Sequence, residues 1–331
     1  MKKHDFTQLF NDIKNIRVGV VGDVMLDTYW WGHVERISPE APVPIVSIDK
    51  REQRIGGAGN VALNLASLGS SVSLLTVLGN DDDGIILRKT LQEKNINDSG
   101  ILISDKRITT NKIRIISRNQ QMLRLDNEHV DDLANNDQEA FYSIFQNYIR
   151  KEKPHVIILQ DYNKGVLTED LIKKIIDLCN HQNIITAVDP KRKNFFNYKN
   201  ITVFKPNLKE VKESLHLLND NLSEKMLDDI HEKLKEKLNH QISLITLSDK
   251  GVYYNSQNGK GMIPSHVRNV ADVSGAGDTV IAVASVVYAA SKDQLLMARI
   301  ANIAGGLVCE EVGTAVINKD QLIRESERLI N

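Results

Sequence analysis

Cysteine is nearly absent from this chain. Cys179 and Cys309 stand alone, in no metal-ligand or redox spacing. That excludes a disulfide framework and reads as two buried thiols in a reduced, cytoplasmic protein. An excess of either charge is missing too. Lys and Arg total 42 against 43 Asp and Glu, with the two signs interspersed. Nucleic acid is therefore not expected as a partner. Nor is there a long hydrophobic run. Thr279–Ala290 is too short to cross a bilayer, and residues 1–15 have no apolar signal-peptide core, so no membrane association is expected. Internal repeats, low-complexity tracts and Gly-, Pro- or Ser-rich linkers are also lacking. What remains is a chain of 331 residues, enough for one large α/β domain or two small ones.

Strand and helix patterns alternate along it. Short Val-, Ile- and Leu-rich segments at Arg17–Val21, Ser71–Leu78, Val156–Leu159, Ile184–Val188, Ile201–Phe204 and Ile242–Leu247 read as strands buried on both faces. Helix-period segments lie between them at Asn60–Leu68, Gly84–Lys94, Asp137–Lys151, Thr168–His181, Leu208–Leu217 and Ser223–Leu238. The alternation predicts an α/β fold, a doubly wound and mostly parallel sheet with helices on both faces. Two segments break it. Residues 29–55 carry Pro39, Pro42 and Pro44 in a β-like stretch. Residues 107–126 read as a hairpin turning at Arg118, Asn119 and Gln120. Together they predict a small antiparallel sheet projecting as a lid, to be covered by a ligand or a second subunit.

The most informative stretch is Val270–Val280. A strand-like end, the turn Gly275-Ala276-Gly277 and then Asp278 precede a helix of small and apolar residues. Unpaired amides at such a helix start form an anion site, to which the helix dipole adds. A carboxylate beside a bound phosphate is costly unless it has a role there, and proton abstraction from an attacking hydroxyl is one. The alternative is that Asp278 and Thr279 merely cap the helix.

Other polar turns follow predicted strands, where open α/β sheets bind ligands. Asp23 and Asp27 could accept from vicinal sugar hydroxyls, or act as a turn and a capping aspartate. Gly57, Gly59 and Ala62 fit the spacing of a dinucleotide fingerprint. The preceding residues 50–54 do not read as a buried strand, so close approach to a small ligand, with Asn60 as a polar contact, is the better reading. Asn207 and Glu210 have capping-box spacing and could also orient metal-bound water. Asp161 and Lys164 follow one strand, where Lys164 could meet a phosphate or simply be solvated, and Ser248 and Gly251 follow another, where a nucleotide could be met.

These residues together resemble the ribokinase-like (PfkB) family of carbohydrate kinases, from Val18 to about Asn318. The resemblance rests on Asp272 through Thr279, on the Asn207/Glu210 pair and on Gly56 through Asn60. Within that family, Gly22–Asp27, Arg36–Ile45, Ser117–Gln121, Arg124–Asp126 and Asp161–Gly165 are similar to heptose-7-phosphate kinases. In many bacteria that kinase is fused to an adenylyltransferase. This chain, read as one kinase domain with a lid, implies that the second activity lies elsewhere.

The resemblance implies ATP-dependent phosphorylation of O1 of D-glycero-β-D-manno-heptose 7-phosphate. Asp278 would be the base, and Gly275, Ala276 and Gly277 the anion hole. Asn207 and Glu210 would organise Mg²⁺ and its waters, with Ser248, Gly251 and Asn302 near ATP. Asp23, Asp27, Arg36, Gly57, Asn60 and Asp161 would hold the sugar, and Lys112, Arg114, Arg124 and Lys164 are candidates for its 7-phosphate. Asp272 would help hold K⁺. Rival readings are a kinase of ribose, fructose or a nucleoside, and a non-catalytic sugar-phosphate sensor. Trp30, Trp31, Ile45, Ile113 and Ile115 in some combination would be exposed on the lid, which implies a homodimer closed through it.

Overall fold

In the computed structural model, residues 5–118, 120–217, 222–266 and 268–330 are described, and Asn119 of the expected hairpin turn lies outside them. Helix α1 (Phe6–Ile13) leads into β1 (Arg17–Gly22), followed by the long strands β2 (Val24–Ile37) and β3 (Pro44–Gly57). Next come α2 (Ala58–Ser67), β4 (Ser71–Gly79), α3 (Asp82–Glu93), β5 (Asn97–Ser104), β6 (Asn111–Ser117) and β7 (Gln120–Asn127). The middle of the chain forms α4 (Asn135–Glu152), β8 (Val156–Gln160), α5 (Glu169–His181), β9 (Ile185–Asp189) and β10 (Val203–Phe204). It continues with α6 (Leu208–Ser214), α7 (Glu224–Leu238), β11 (Ile242–Thr246), β12 (Val252–Ser256) and β13 (Gly259–Ile263). Helices α8 (Ala276–Ser291), α9 (Gln294–Val308) and α10 (Lys319–Ile330) complete it.

The main sheet has nine strands in the order β13-β12-β11-β10-β9-β8-β1-β4-β5. It is parallel from β5 to β11, and β12 and β13 add an antiparallel edge. Both faces are covered, as the apolar strands require. In β8, Val156 and Ile158 join one core cluster with α1, α2, α8 and α9, while Ile157 and Leu159 join the other with α4, α5 and α7. Helix α8 is buried from Asp278 to Val287 without interruption, which explains its apolar character all round. Among the described residues, no helix is long and apolar enough to cross a membrane.

The lid is a separate four-stranded sheet, β3-β2-β6-β7. Two antiparallel hairpins are joined by parallel pairing of β2 with β6. Pro39 and Pro42 fall in the β2–β3 connection and Pro44 opens β3, so none interrupts a ladder. Residues 50–54 lie in a strand but not a buried one, as the sequence reading has it. It is a largely exposed lid strand rather than a parallel core strand, so the dinucleotide-binding context is still missing. Exposure differs from expectation. Trp30, Trp31, Ile45, Ile113 and Ile115 are half-buried, whereas Ile37, Ile48, Met122, Leu123 and Leu125 are exposed.

Candidate active site

Gly275 immediately precedes helix α8 as its N-cap, and its φ of 80° is one that glycine adopts at little steric cost. No side chain caps this helix start. The capping reading of Asp278 and Thr279 is therefore overturned, and amides of the first turn stay available for an anion, although Ala276 N–H makes a long bond of 3.3 Å to Val273 O. Asp278 is buried in that turn and accepts three hydrogen bonds. Asn60 Nδ2 donates to Oδ2 at 2.9 Å, while Gln160 Nε2 at 2.9 Å and Tyr162 Oη at 2.8 Å donate to Oδ1. Burial raises its pKa to about 6, with the nearby Asp189 adding to the rise and the Asn60 and Tyr162 bonds opposing it. A base with that value is matched to proton abstraction near neutral pH.

Three strand ends deliver the partners. Gln160 closes β8, Asp189 closes β9, and Lys205 follows β10. Lys205 Nζ lies 3.0 Å from Asp189 Oδ2, and a Cβ on Gly277 would sit 3.6 Å from that same oxygen. Burial works to raise the Asp189 pKa, but the charges of Lys205 and Lys191 outweigh it, so the carboxyl stays below its ordinary value. Lys191 also pairs with Glu210, whose other oxygen accepts the Asn207 N–H at 2.8 Å. Asn207 and Glu210 thus form the expected capping box on α6 while facing the same charged cluster. Sequence reasoning passed over Gln160, Asp189, Lys191 and Lys205. The available signal was Asp189-Pro190-Lys191 and Lys205-Pro206-Asn207, a charged residue and a proline after two successive strands.

Asp23 and Asp161 do scaffolding work. Asp23 accepts the backbone N–H groups of Tyr162, Lys164 and Val166, which fixes the loop after β8. Its pKa nevertheless rises to about 6, because burial and then the charge of Asp161 outweigh those bonds. Asp161 is held by Tyr198 Oη at 2.6 Å, by Asn194 Nδ2 and by the Asn163 N–H. This double anchoring places Tyr162 over Asp278.

Asp27, on β2, pairs with Arg114 Nη1 at 2.7 Å and lies against Gly56, where a Cβ would come within 2.4 Å of Asp27 Oδ2. Gly57, with φ of 61°, packs on the Asp23 carbonyl and starts α2, delivering Asn60 to Asp278. Lys164 and Lys112 converge on Glu128, at 2.7 and 3.2 Å. Arg124 instead pairs with Asp126 on the exposed face of β7. Arg36 is not brought to the site. It is exposed near the far end of β2, nine residues beyond Asp27, or about 30 Å along an extended strand.

Ser248, Gly251 and Asn302 do come together. A Cβ on Gly251 would strike Ile263 O and Ser265 N, and Asn302 Nδ2 donates to Pro264 O at 2.9 Å. Asp272 accepts from Ser274 N–H and Oγ and from Gly313 N–H, tying the Gly-rich turn to the 312–314 loop. Burial works against its charge, but these bonds win and hold its pKa below the ordinary range.

A buried carboxylate at the start of a helix, at the carboxyl edge of a doubly wound sheet, is an arrangement suited to phosphoryl transfer to a hydroxyl. The chain belongs to the pfkB family of carbohydrate kinases, whose model it matches over residues 15–321. It is 36% identical over 323 residues to the bifunctional protein HldE of Syntrophotalea carbinolica, covering 97% of this chain and 65% of that protein. The corresponding protein of Magnetococcus marinus is 39% identical over 305 residues, covering 92% of this chain and 62% of its own length. The chain thus spans less than two thirds of these curated relatives. Among solved structures, phosphofructokinase-2 from Escherichia coli in complex with potassium superimposes with a TM-score of 0.77 at 16% identity, covering 95% of this chain and 98% of that one. Arabidopsis thaliana ribokinase complexed with ribose and ATP gives 0.72 at 16% identity, over 94% and 99%. At such identities the structures speak for the fold alone.

Proposed function

We propose that this chain, one kinase domain with a lid, transfers the γ-phosphate of ATP to O1 of D-glycero-β-D-manno-heptose 7-phosphate. The product is the 1,7-bisphosphate, a precursor of ADP-heptose for lipopolysaccharide core. The observation that carries the substrate assignment is the convergence on Glu128, just after β7, of Lys112 from β6 and Lys164 from the loop that also holds Tyr162 against Asp278, with Lys112 also reaching Asp126 at 3.4 Å. Two lysines on one carboxylate form a cationic clamp that a sugar phosphate could take over by charge-assisted bonds.

In this reading Asp278 takes the proton of the attacking hydroxyl, and the amides of Gly275, Ala276 and Gly277 stabilise the phosphoryl charge. Asp27, Gly57 and Asn60 line the sugar side. Gln160 Oε1, buried and without a hydrogen-bond partner among the described residues, offers an acceptor to a sugar hydroxyl. Ser248, Gly251 and Asn302 frame the adenine nucleotide.

The donor set suits a magnesium ion that keeps its waters. Among the described residues, no three His, Cys, Asp or Glu side chains form a metal cage. Mg²⁺ ordinarily rests on one or two carboxylates and substrate phosphates, and Glu210 and Asn207 would hold it in that way. When bound it neutralises phosphate charge. Asp272, charged and bonded only to amides and a hydroxyl in the contacts above, would serve a monovalent cation.

The lid supports a homodimer. Ile37, Ile48, Met122, Leu123 and Leu125 are 38 to 61% exposed on one small sheet, a concentration that pairing of two lids would cover. The test of the reaction is ADP release with heptose 7-phosphate, unphosphorylated heptose, ribose and fructose. Preference for the heptose phosphate is expected. Equal kcat/KM for ribose would place the chain among other sugar kinases.

A further inference from the structure

A cleft of about 890 Å³ opens on the edge of the main sheet opposite Asp278. Its position follows from its lining. Pro154 and His155 immediately precede β8, Ile184 and Ile185 lie at the start of β9, and Lys153 and Lys292 follow the last turns of α4 and α8. Asp278 sits at the other end of α8, 14 residues before Lys292, or about 21 Å along the helix.

The cleft has one sign of charge. Arg150, Lys153, His155 and Lys292 line it, and among the described residues no Asp or Glu does. Ile149, Leu178 and Ile184 give it an apolar wall. Lys292 has its pKa lowered by burial, and its ammonium lies over the Tyr288 ring, 5.5 Å from the ring centroid. His155 Nδ1 accepts the Arg17 N–H at 3.0 Å. Burial, with the charges of Arg17 and Lys292, lowers the His155 pKa, so the neutral ring carries its proton on Nε2 and is a donor.

The backbone adds an independent observation. Lys153 and Lys292 both cap their helices in the left-handed region, with φ of 47° and 56°. Glycine is the favoured residue there, and a side chain costs conformational energy. Complementing a helix dipole asks only for a cation somewhere in the last turn, which an unstrained position supplies equally well. Other residues besides glycine share positive φ, Asn239 at the end of α7 among them, so what sets these two lysines apart is that both end beside one cleft lined by no Asp or Glu among the described residues.

We propose that this cleft binds a small organic anion, a phosphate- or carboxylate-bearing molecule with an apolar face, at a site remote from phosphoryl transfer. Its volume lies within the range of small-molecule sites. The proposal is independent of which sugar the kinase phosphorylates.

The test uses 8-anilino-1-naphthalenesulfonate, an anion with an apolar body, titrated by fluorescence into the full chain and into Lys153→Gly/Lys292→Gly. Glycine removes both cations and relieves both left-handed positions, so the variant should fold, with turnover unchanged. The proposal expects a saturable site in the wild type that weakens at least tenfold in the variant, and further loss in Lys292→Glu. Thermal stabilisation of the wild type by the same probe should disappear in parallel. Equal affinity in wild type and double variant would overturn it, whether the probe sits on the lid or nowhere. So would a variant whose melting temperature rises while probe binding is unchanged, which would leave these lysines as helix-end charges only.

Discussion

The Tyr162 hydroxyl donates to Asp278 Oδ1 at 2.8 Å, joining residues 116 positions apart. The bond puts a phenol on the oxygen from which the carboxylate would accept a sugar proton. It also lowers the pKa of Asp278 against the larger effect of burial. Tyr162→Phe removes that opposing effect, so the Asp278 pKa should rise. The acid limb of the kcat/KM profile is expected to move to higher pH, with folding preserved because the loop backbone stays anchored on Asp23. An unshifted limb would show that the tyrosine does not tune the base.

Asp278→Asn keeps the side-chain shape and removes the base. Loss of a general base typically costs on the order of 10²- to 10⁴-fold. Turnover should fall by that amount while ATP affinity, read by nucleotide titration, stays near wild type. Near-normal turnover would remove Asp278 from the mechanism.

The same variant has a pH signature in stability. The folded-state pKa of Asp278, about 6, lies above its ordinary 3.8. Its stabilising contribution is therefore full below pH about 4 and is lost as pH rises through 6, by about 3 kcal/mol at 1.36 kcal/mol per pKa unit. Asparagine does not titrate. The melting temperature of Asp278→Asn relative to wild type should thus increase between pH 4 and pH 7, and a difference independent of pH would contradict the raised pKa.

Lys164→Ala and Lys112→Ala separate charge recognition from chemistry. Each removes one arm of the clamp now closed on Glu128. KM for heptose 7-phosphate should rise roughly tenfold or more, as expected for a charge-assisted bond. The rate with unphosphorylated heptose should barely change. Equal losses on both sugars would assign the lysines to folding of the loop.

A charge on the lid tests assembly. Leu123 is 51% and Leu125 43% exposed on β7. Leu125→Asp, at a side chain with little protein around it, should leave the monomer folded. Light scattering should give a dimer for the wild type and a monomer for the variant. A wild-type monomer at micromolar concentration would end the lid-pairing proposal.

The core architecture was legible because its signals are local. Buried strands such as Val156–Gln160 are continuous apolar runs, helix periods separate them, and Gly275-Ala276-Gly277-Asp278 announces an anion-binding helix start by turn chemistry alone. Strands β5, β12 and β13 were less legible. Asn97-Asp98-Ser99 opens β5 with polar residues, and β13 is largely exposed with two glycines, so neither shows the run of a buried strand. The tertiary structure alone decided which partners each aspartate meets. Asp23, Asp27, Asp161 and Asp278 all follow or flank apolar segments and look alike in one dimension. Only folding puts three loop amides on Asp23, Arg114 on Asp27, Tyr198 on Asp161, and Asn60, Gln160 and Tyr162 on Asp278. Those partners lie far along the chain, and they set how deeply each carboxylate is buried and which donors it meets. The same holds for Arg36, which an extended strand carries away from the site that its neighbours in sequence help to build.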